Sequence, residues 1–304
     1  MGYRKLFLKE YVETKDSDQT LVRDYKRLVL MLVRQFNAEN ISNLSTVAAP
    51  GDIQNVSGSD PVYHIEINEY NPNTTSTPET PAVFTSTSKL HSVRFSSEDV
   101  IQDHTNLLNY ENNCFKYLNK SSEEEDQTET QNAVFNLVPP SLTLDSLDKL
   151  YFVLNNQTLV TNRNFKELVC EKLKRYIKSS KVVVHGEILK SGDFIIRIGV
   201  ITQNVKRRGI LIDIEFAPCG YCYISETVIK EFMSTFIDMD GTSTTTISQN
   251  VKFKLSELYT QNFDYADFNL SATYYSLTHH AVQLVRLLAD CGILKLTAEI
   301  QATQ

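Results

Sequence analysis

The chain has 304 residues, 41% hydrophobic and 22% charged, with 15 Tyr, 15 Phe, no Trp and a formal net charge of −7. Such a composition excludes global disorder and supports a sizeable core. The acidic balance argues against a protein that coats nucleic acid through its overall field, so only a local basic patch could matter there. Five cysteines, an odd and sparse number, are expected to be reduced thiols in the cytosol or nucleus. Charges at Arg4, Lys5, Lys9 and Glu10 interrupt the opening segment, and no apolar run is long enough for a bilayer. A soluble intracellular protein with no membrane partner is therefore expected.

In chain order, Tyr3–Tyr11 is expected to form an opening strand. A helix follows, with Ser17 and Asp18 as caps and Leu21, Tyr25, Leu28, Val29, Leu32, Val33 and Phe36 as its apolar stripe. After a polar insertion at 38–60, the alternation in Val62–Tyr70 predicts a half-buried strand. A second insertion at 71–88 contains Pro72, Pro78 and Pro81 and is unsuited to central strand pairing. Further strands are expected at Leu90–Phe95, Cys114–Leu118, Ala133–Val138 and Leu150–Val160, with a third insertion at 119–132.

The second clear helix is expected over about Asn164–Lys178, with Phe165, Leu168, Val169, Leu173, Tyr176 and Ile177 on one face and a basic face opposite. Lys181–Leu189, Gly192–Gln203 and Gly209–Phe216 then read as three antiparallel strands in immediate succession. In the last of these, Ile210, Ile212, Ile214 and Phe216 alternate with Leu211, Asp213 and Glu215, which assigns both carboxylates to a solvent face. Pro218 ends the run. Ser225 is expected to cap a third helix, a fourth insertion covers 238–250, and a last helix runs over Ala272–Asp290 with Gly292 as its stop. The class is α+β, with an antiparallel, incomplete β-barrel-like sheet and several amphipathic helices packed on it. Because the insertions fall between elements of one series, residues 1–304 are expected to form a single domain.

Little in the chain points to catalysis. Cys219-Gly220-Tyr221-Cys222 resembles a redox pair only superficially, because the expected cap at Ser225 leaves both thiols ahead of the helix; a plain tight turn is the simpler reading. Cys114, Cys170 and Cys291 are isolated in sequence, so a zinc site lacks a second close pair. His279 and His280 point about 100° apart on a helix, and with His64, His91, His104 and His185 they read as scattered surface or half-buried rings. No glycine-rich phosphate loop or nucleophile elbow occurs, and no cofactor is expected. A phosphate-tunnel, metal-dependent hydrolase on a related barrel is the enzymatic alternative, for which Glu66-x-Asn68 and Asp213-x-Glu215 are weak approximations. Finally, Arg163, Lys166, Lys172, Lys174, Arg175, Lys178 and Lys181 outnumber Glu167 and Glu171. Together with Lys206, Arg207 and Arg208 they could form a basic docking patch, although a solvated helix face with a Glu171–Arg175 pair explains them as well.

From Asn164 to Ile237 an ordered series of segments resembles the family of subunit twenty of Mediator, the RNA polymerase II coactivator. It runs from Asn164-Phe165, opening a helix with Lys172-Leu173-Lys174, through a strand beginning Gly192-Asp193-Phe194, to a turn ending Arg208-Gly209-Ile210. It closes with Ile214-Glu215-Phe216-Ala217-Pro218-Cys219 before a Phe-rich helix. The N-terminal strand and helix, and Val285-Arg286-Leu287-Leu288 near the end, fit in order. The resemblance implies a non-catalytic nuclear protein with an incomplete barrel. It also implies assembly in the Mediator head module with a similarly folded partner, subunit eighteen, tethered through a helix of subunit eight. Direct nucleic-acid binding is not expected.

Overall fold

A computed structural model of the chain describes residues 2–11, 17–41, 63–73, 88–96, 149–238, 253–254, 260 and 264–296. Its first half contains β1 (Tyr3–Glu10), α1 (Ser17–Gln35), β2 (Glu39–Asn40), β3 (Tyr63–Pro72), β4 (Leu90–Arg94), β5 (Lys149–Leu154) and β6 (Gln157–Asn162). Then come α2 (Arg163–Lys166), extended by a π-helical turn at Glu167–Lys172, and three long strands, β7 (Tyr176–Ser191), β8 (Phe194–Gln203) and β9 (Lys206–Phe216). α3 (Cys222–Phe236), the short parallel pair β10 (Ile237–Asp238) and β11 (Phe253–Lys254), a 3-10 turn at Tyr265–Phe268 and α4 (Leu277–Asp290) complete it. The strand candidates Cys114–Leu118 and Ala133–Val138 lie outside the described residues.

Among the described residues, nine strands form one antiparallel sheet in the order β1-β9-β8-β7-β3-β4-β5-β6, with β2 beside β7. The expected triple of consecutive strands is its centre. Gly192, at φ 56°, turns β7 into β8. Asn204 and Val205 turn β8 into β9 with φ of 45° and 82°, a two-residue hairpin in which both positions are left-handed. Val205 is 93% exposed, so its β-branched side chain is strained there without packing in return. Val205→Gly is expected to raise stability by about 1 kcal/mol, read as a higher melting temperature.

Both faces of the sheet are covered. On one, Phe7, Ile196, Ile198, Ile210, Ile212 and Ile214 pack on Leu28 and Leu32 of α1 and Ile229 and Met233 of α3. On the other, Leu6, Leu8, Tyr63, Ile65, Val182 and Val184 pack on Ala281, Leu284, Val285 and Leu288 of α4. α4 touches β1 near one end of the strand order and β5 and β6 at the other, so the sheet curls around this helix as an incomplete barrel. Its residues Leu277, His279–Val285, Leu287 and Leu288 are buried, wider than the single apolar stripe read from the sequence.

Several expectations need correction. Leu150–Val160 is a hairpin, broken where Asn155 adopts φ 51°; asparagine tolerates that conformation better than other non-glycine residues. The helix expected over Asn164–Lys178 ends at Lys172: Lys174 takes φ 49°, and the chain rejoins the sheet at Tyr176. There Tyr176 to Lys178 pair with Tyr70 to Pro72, so ladder hydrogen bonds outweigh the helical pattern. This also places Asn71 and Pro72 in β3 rather than in an insertion, and Ala38 is buried beside β2. The last helix begins at Leu277, later than Ala272, and α3 begins at Cys222, ahead of Ser225.

Candidate functional site

Asp213 and Glu215 are not on a wet face. Both are wholly buried beneath α4, because the face of β9 opposite its isoleucines points into the barrel. In-register neighbours bring two guanidiniums to them: Arg4 sits opposite Glu215 across β1–β9, and Arg197 opposite Asp213 across β8–β9. Arg197 Nη2 lies 2.8 Å and Arg4 Nε 3.1 Å from Glu215 Oε2, while Arg4 Nη1 and Arg197 Nη1 lie 3.6 and 3.9 Å from Asp213 Oδ2. The Gly2 N–H donates to Glu215 Oε1 at 2.8 Å. Burial alone would raise the Glu215 pKa, but the two arginines and these hydrogen bonds hold it below the ordinary value.

The polar group extends into α4. His280 Nε2 stands 3.5 Å from Asp213 Oδ2, and the Tyr63 hydroxyl donates to the same oxygen at 3.4 Å. Tyr63 reaches it by lying across Gly186 and Gly199, which face each other between β7 and β8; a Cβ at Gly199 would meet Val184 and the Tyr63 ring. The Tyr275 hydroxyl lies 3.0 Å from His280 Nδ1 and donates to Gln283 Oε1 at 3.0 Å; the Gln283 amide donates in turn to the Tyr265 hydroxyl. Burial holds the Tyr275 phenol well above its usual pKa, so it stays a neutral donor.

His279 and His280 are therefore core residues rather than scattered half-exposed rings. His279 Nδ1 accepts the Ser276 N–H at 3.1 Å and closes the N-terminal capping box of α4, while its Nε2 reaches the Ser271 carbonyl at 2.9 Å. Burial lowers its pKa. The chemistry this centre performs is mutual neutralisation, two guanidiniums against two carboxylates, joining β1, β8, β9 and α4. Among the described residues, no group of three or more His, Cys, Asp and Glu is arranged to hold a metal ion. The sequence reading missed Arg4, Arg197 and Tyr63 entirely. A signal was present, since Arg4 and Arg197 each interrupt apolar runs, in strands flanking the one that carries two acids.

Cys222 is the first residue of α3, so the helix starts ahead of the expected cap at Ser225. Burial pushes its thiol up to about 11, opposite to the low value a redox cysteine needs. The Ser225 hydroxyl donates to the Cys219 carbonyl at 3.0 Å, and its N–H to the Tyr221 carbonyl, which closes the turn around Gly220.

The basic residues fall in two places. Lys172, Lys174 and Arg175 are exposed on or after the π-helical turn, and Lys178 follows on β7. Lys166, Lys174 and Lys178 line one depression of about 430 Å³ with Glu171. Arg163 pairs with Glu167 at 3.4 Å, and Arg175 lies beyond the helix. Lys206 and Arg207 are exposed beyond the β8–β9 turn, where Arg207 approaches Asp18 of α1 at 3.8 Å and lines a different depression with Arg23 and Lys26. Arg208 instead donates from Nε to Gln203.

The remaining residues of the ordered series are positioned as structural elements. Asn164 is exposed in α2, and Phe165 packs edge-on against Phe152 with centroids 5.8 Å apart. The Asp193 carbonyl accepts the Ala217 N–H at 3.0 Å, and Phe194 stacks on Phe232 at 4.0 Å. Gly209 permits close approach to the Lys9 carbonyl, and Pro218 lies exposed just past β9.

The region from residue 62 to 289, from β3 through nearly all of α4, matches the family described as TATA-binding related factor (TRF) of subunit 20 of Mediator complex. The chain belongs to this family. Relatives carrying the name "Mediator of RNA polymerase II transcription subunit 20" are similar at low identity. The mouse protein is 27% identical over 99 residues, covering 32% of this chain and 46% of that protein. The human protein is 29% identical over 86 residues, covering 27% and 40%, and that of Anopheles gambiae 30% over 84 residues, covering 26% and 37%. The chain thus spans less than half the length of these curated relatives. β1 lies outside the matched region, yet it supplies Arg4 to the charge centre that the matched strands enclose.

Proposed function

We propose that the chain is a non-catalytic, nuclear subunit of the Mediator head module that folds as one domain over residues 1–304. It pairs with the similarly folded subunit eighteen, is tethered through a helix of subunit eight, and supports regulated transcription by RNA polymerase II. The observation that carries this reading is the family match over residues 62–289. The charge centre agrees with it, because its carboxylates serve guanidiniums instead of an open cavity.

A group of exposed apolar side chains lies at the start of α3. Tyr223 is 87% and Ile224 58% exposed, beside Tyr221, which packs against Tyr274 at 4.6 Å. Adjacent exposed aromatic and aliphatic side chains of this kind suit the core of a protein interface.

Co-expression with subunit eighteen from the same source is expected to raise the soluble yield severalfold and to give a stoichiometric complex on size exclusion. Tyr223→Glu with Ile224→Glu is expected to weaken it at least tenfold. A monodisperse monomer that ignores the partner sinks the proposal.

A further inference from the structure

A second surface, far along the strand order from β1, combines an apolar cleft with unbalanced positive charge. The cleft, about 580 Å³, is floored by Leu90, Phe152, Leu154, Phe165, Val169 and Phe268. At its rim Leu159 of β6 is 48% exposed, and on the neighbouring π-helical turn Leu168 is 43% and Leu173 55% exposed. The π-helical bond from the Leu173 N–H to the Leu168 carbonyl, 2.8 Å, stacks these two leucines one turn apart. Tyr176 lines both this cleft and the depression that holds Lys166, Lys174 and Lys178, so the two adjoin.

Among the described residues lining the depression, three lysines stand against one carboxylate. Glu171 is the carboxylate that lines the lysine depression, and the nearby Glu66 is engaged by Lys181 at 2.9 Å and by Asn68. Burial, with the neighbouring cations Lys181 and Lys166, lowers the Lys178 pKa despite Glu66. Among the described residues β6 ends the strand order, and its Gln157, Thr158 and Leu159 line the cleft.

We propose that this cleft docks an acidic amphipathic peptide helix from another protein, whose bulky apolar side chains enter between Phe152, Phe165 and Leu159 while its carboxylates lie over Lys166, Lys174 and Lys178. Apolar anchors flanked by complementary charge are the recurring chemistry of helix-in-groove recognition. A nucleic acid fits less well: Phe152 and Phe165 pack edge-on against each other and Arg286 lies over the Phe268 ring, so these rings are not open stacking platforms, and Glu167 and Glu171 would face its phosphates. The surface is separate from the Tyr223 region, so the proposal stands independently of the pairing with subunit eighteen.

The test is fluorescence anisotropy with the full chain and a labelled helical peptide of Glu and Asp with Leu and Phe at i, i+3, i+4 and i+7. Micromolar binding is expected, falling at least tenfold for the charge-reversal variant Lys166→Glu, Lys174→Glu, Lys178→Glu. It should fall similarly for Leu159→Thr, which leaves every charge in place and keeps a strand-forming side chain. All four positions are at least partly exposed, and an unchanged melting temperature verifies folding. Equal binding of a sequence-scrambled or Lys-for-Glu peptide, unchanged affinity in either variant, or tighter retention of an unlabelled DNA duplex than of the peptide at the same salt would each overturn the assignment.

Discussion

Replacing Arg197 by methionine is expected to lower the unfolding free energy by about 3–5 kcal/mol, the range for breaking a buried ion pair from one side. Methionine keeps much of the volume, so the loss comes from charge. With Arg197 gone, Glu215 loses its shorter guanidinium contact, at 2.8 Å, and Asp213 one of its two guanidiniums, leaving one guanidinium among two carboxylates at zero exposure. The double variant Arg197→Met with Glu215→Gln restores neutrality beside Arg4 and Asp213 and is expected to recover at least half of the loss. Urea unfolding of the four members of that cycle measures the coupling. An Arg197→Met loss below about 1 kcal/mol would show that water reaches the centre.

Acid is expected to remove a second large contribution, centred on Glu69. This carboxylate accepts from Lys89 Nζ at 2.7 Å, the Lys295 N–H at 2.8 Å and the Ser179 hydroxyl at 3.0 Å, with His91 Nε2 at 3.7 Å. Burial alone would raise its pKa, but the hydrogen bonds from His91, Lys89, Lys295 and Ser179 outweigh that and bring it to about 2. A folded value below the unfolded one stabilises above the unfolded pKa, and the stabilisation disappears as pH falls through the folded value. About 3 kcal/mol is therefore expected to vanish between pH 4.5 and 2. Glu69→Gln, which cannot ionise, should be less stable at pH 7 and should lack that part of the acid slope; equal slopes in the two proteins contradict the assignment.

Much of the architecture was legible because local pattern and tertiary placement agree. The alternation in β7, β8 and β9 with short connections between them leaves antiparallel pairing as the simple solution. Gly292, at φ 67°, stops α4 as its position after an apolar helix suggests. The family resemblance, carried by the order of segments between Asn164 and Ile237, agrees with the match over 62–289. The errors came where two readings share one pattern. Tyr176-Ile177-Lys178 suits a helix by spacing and a strand by residue type, and the pairing with β3 decided it. Alternating acids in β9 look the same whether the second face meets water or a helix.

By itself, then, the chain's sequence determined an α+β fold, its central strands, its family and the local excess of positive charge around α2, because each depends on residues close in sequence. Only the tertiary structure decided that Asp213 and Glu215 are inside, that Arg4 and Arg197 neutralise them, and that α4 fills the curled sheet as its core. These facts depend on strand register and on which element covers each face, and residues 4 and 215 become neighbours only when the whole sheet has formed. The same holds for the basic residues: Lys174 and Lys178 share a surface with an apolar cleft, while Lys206 and Arg207 lie at a separate hairpin.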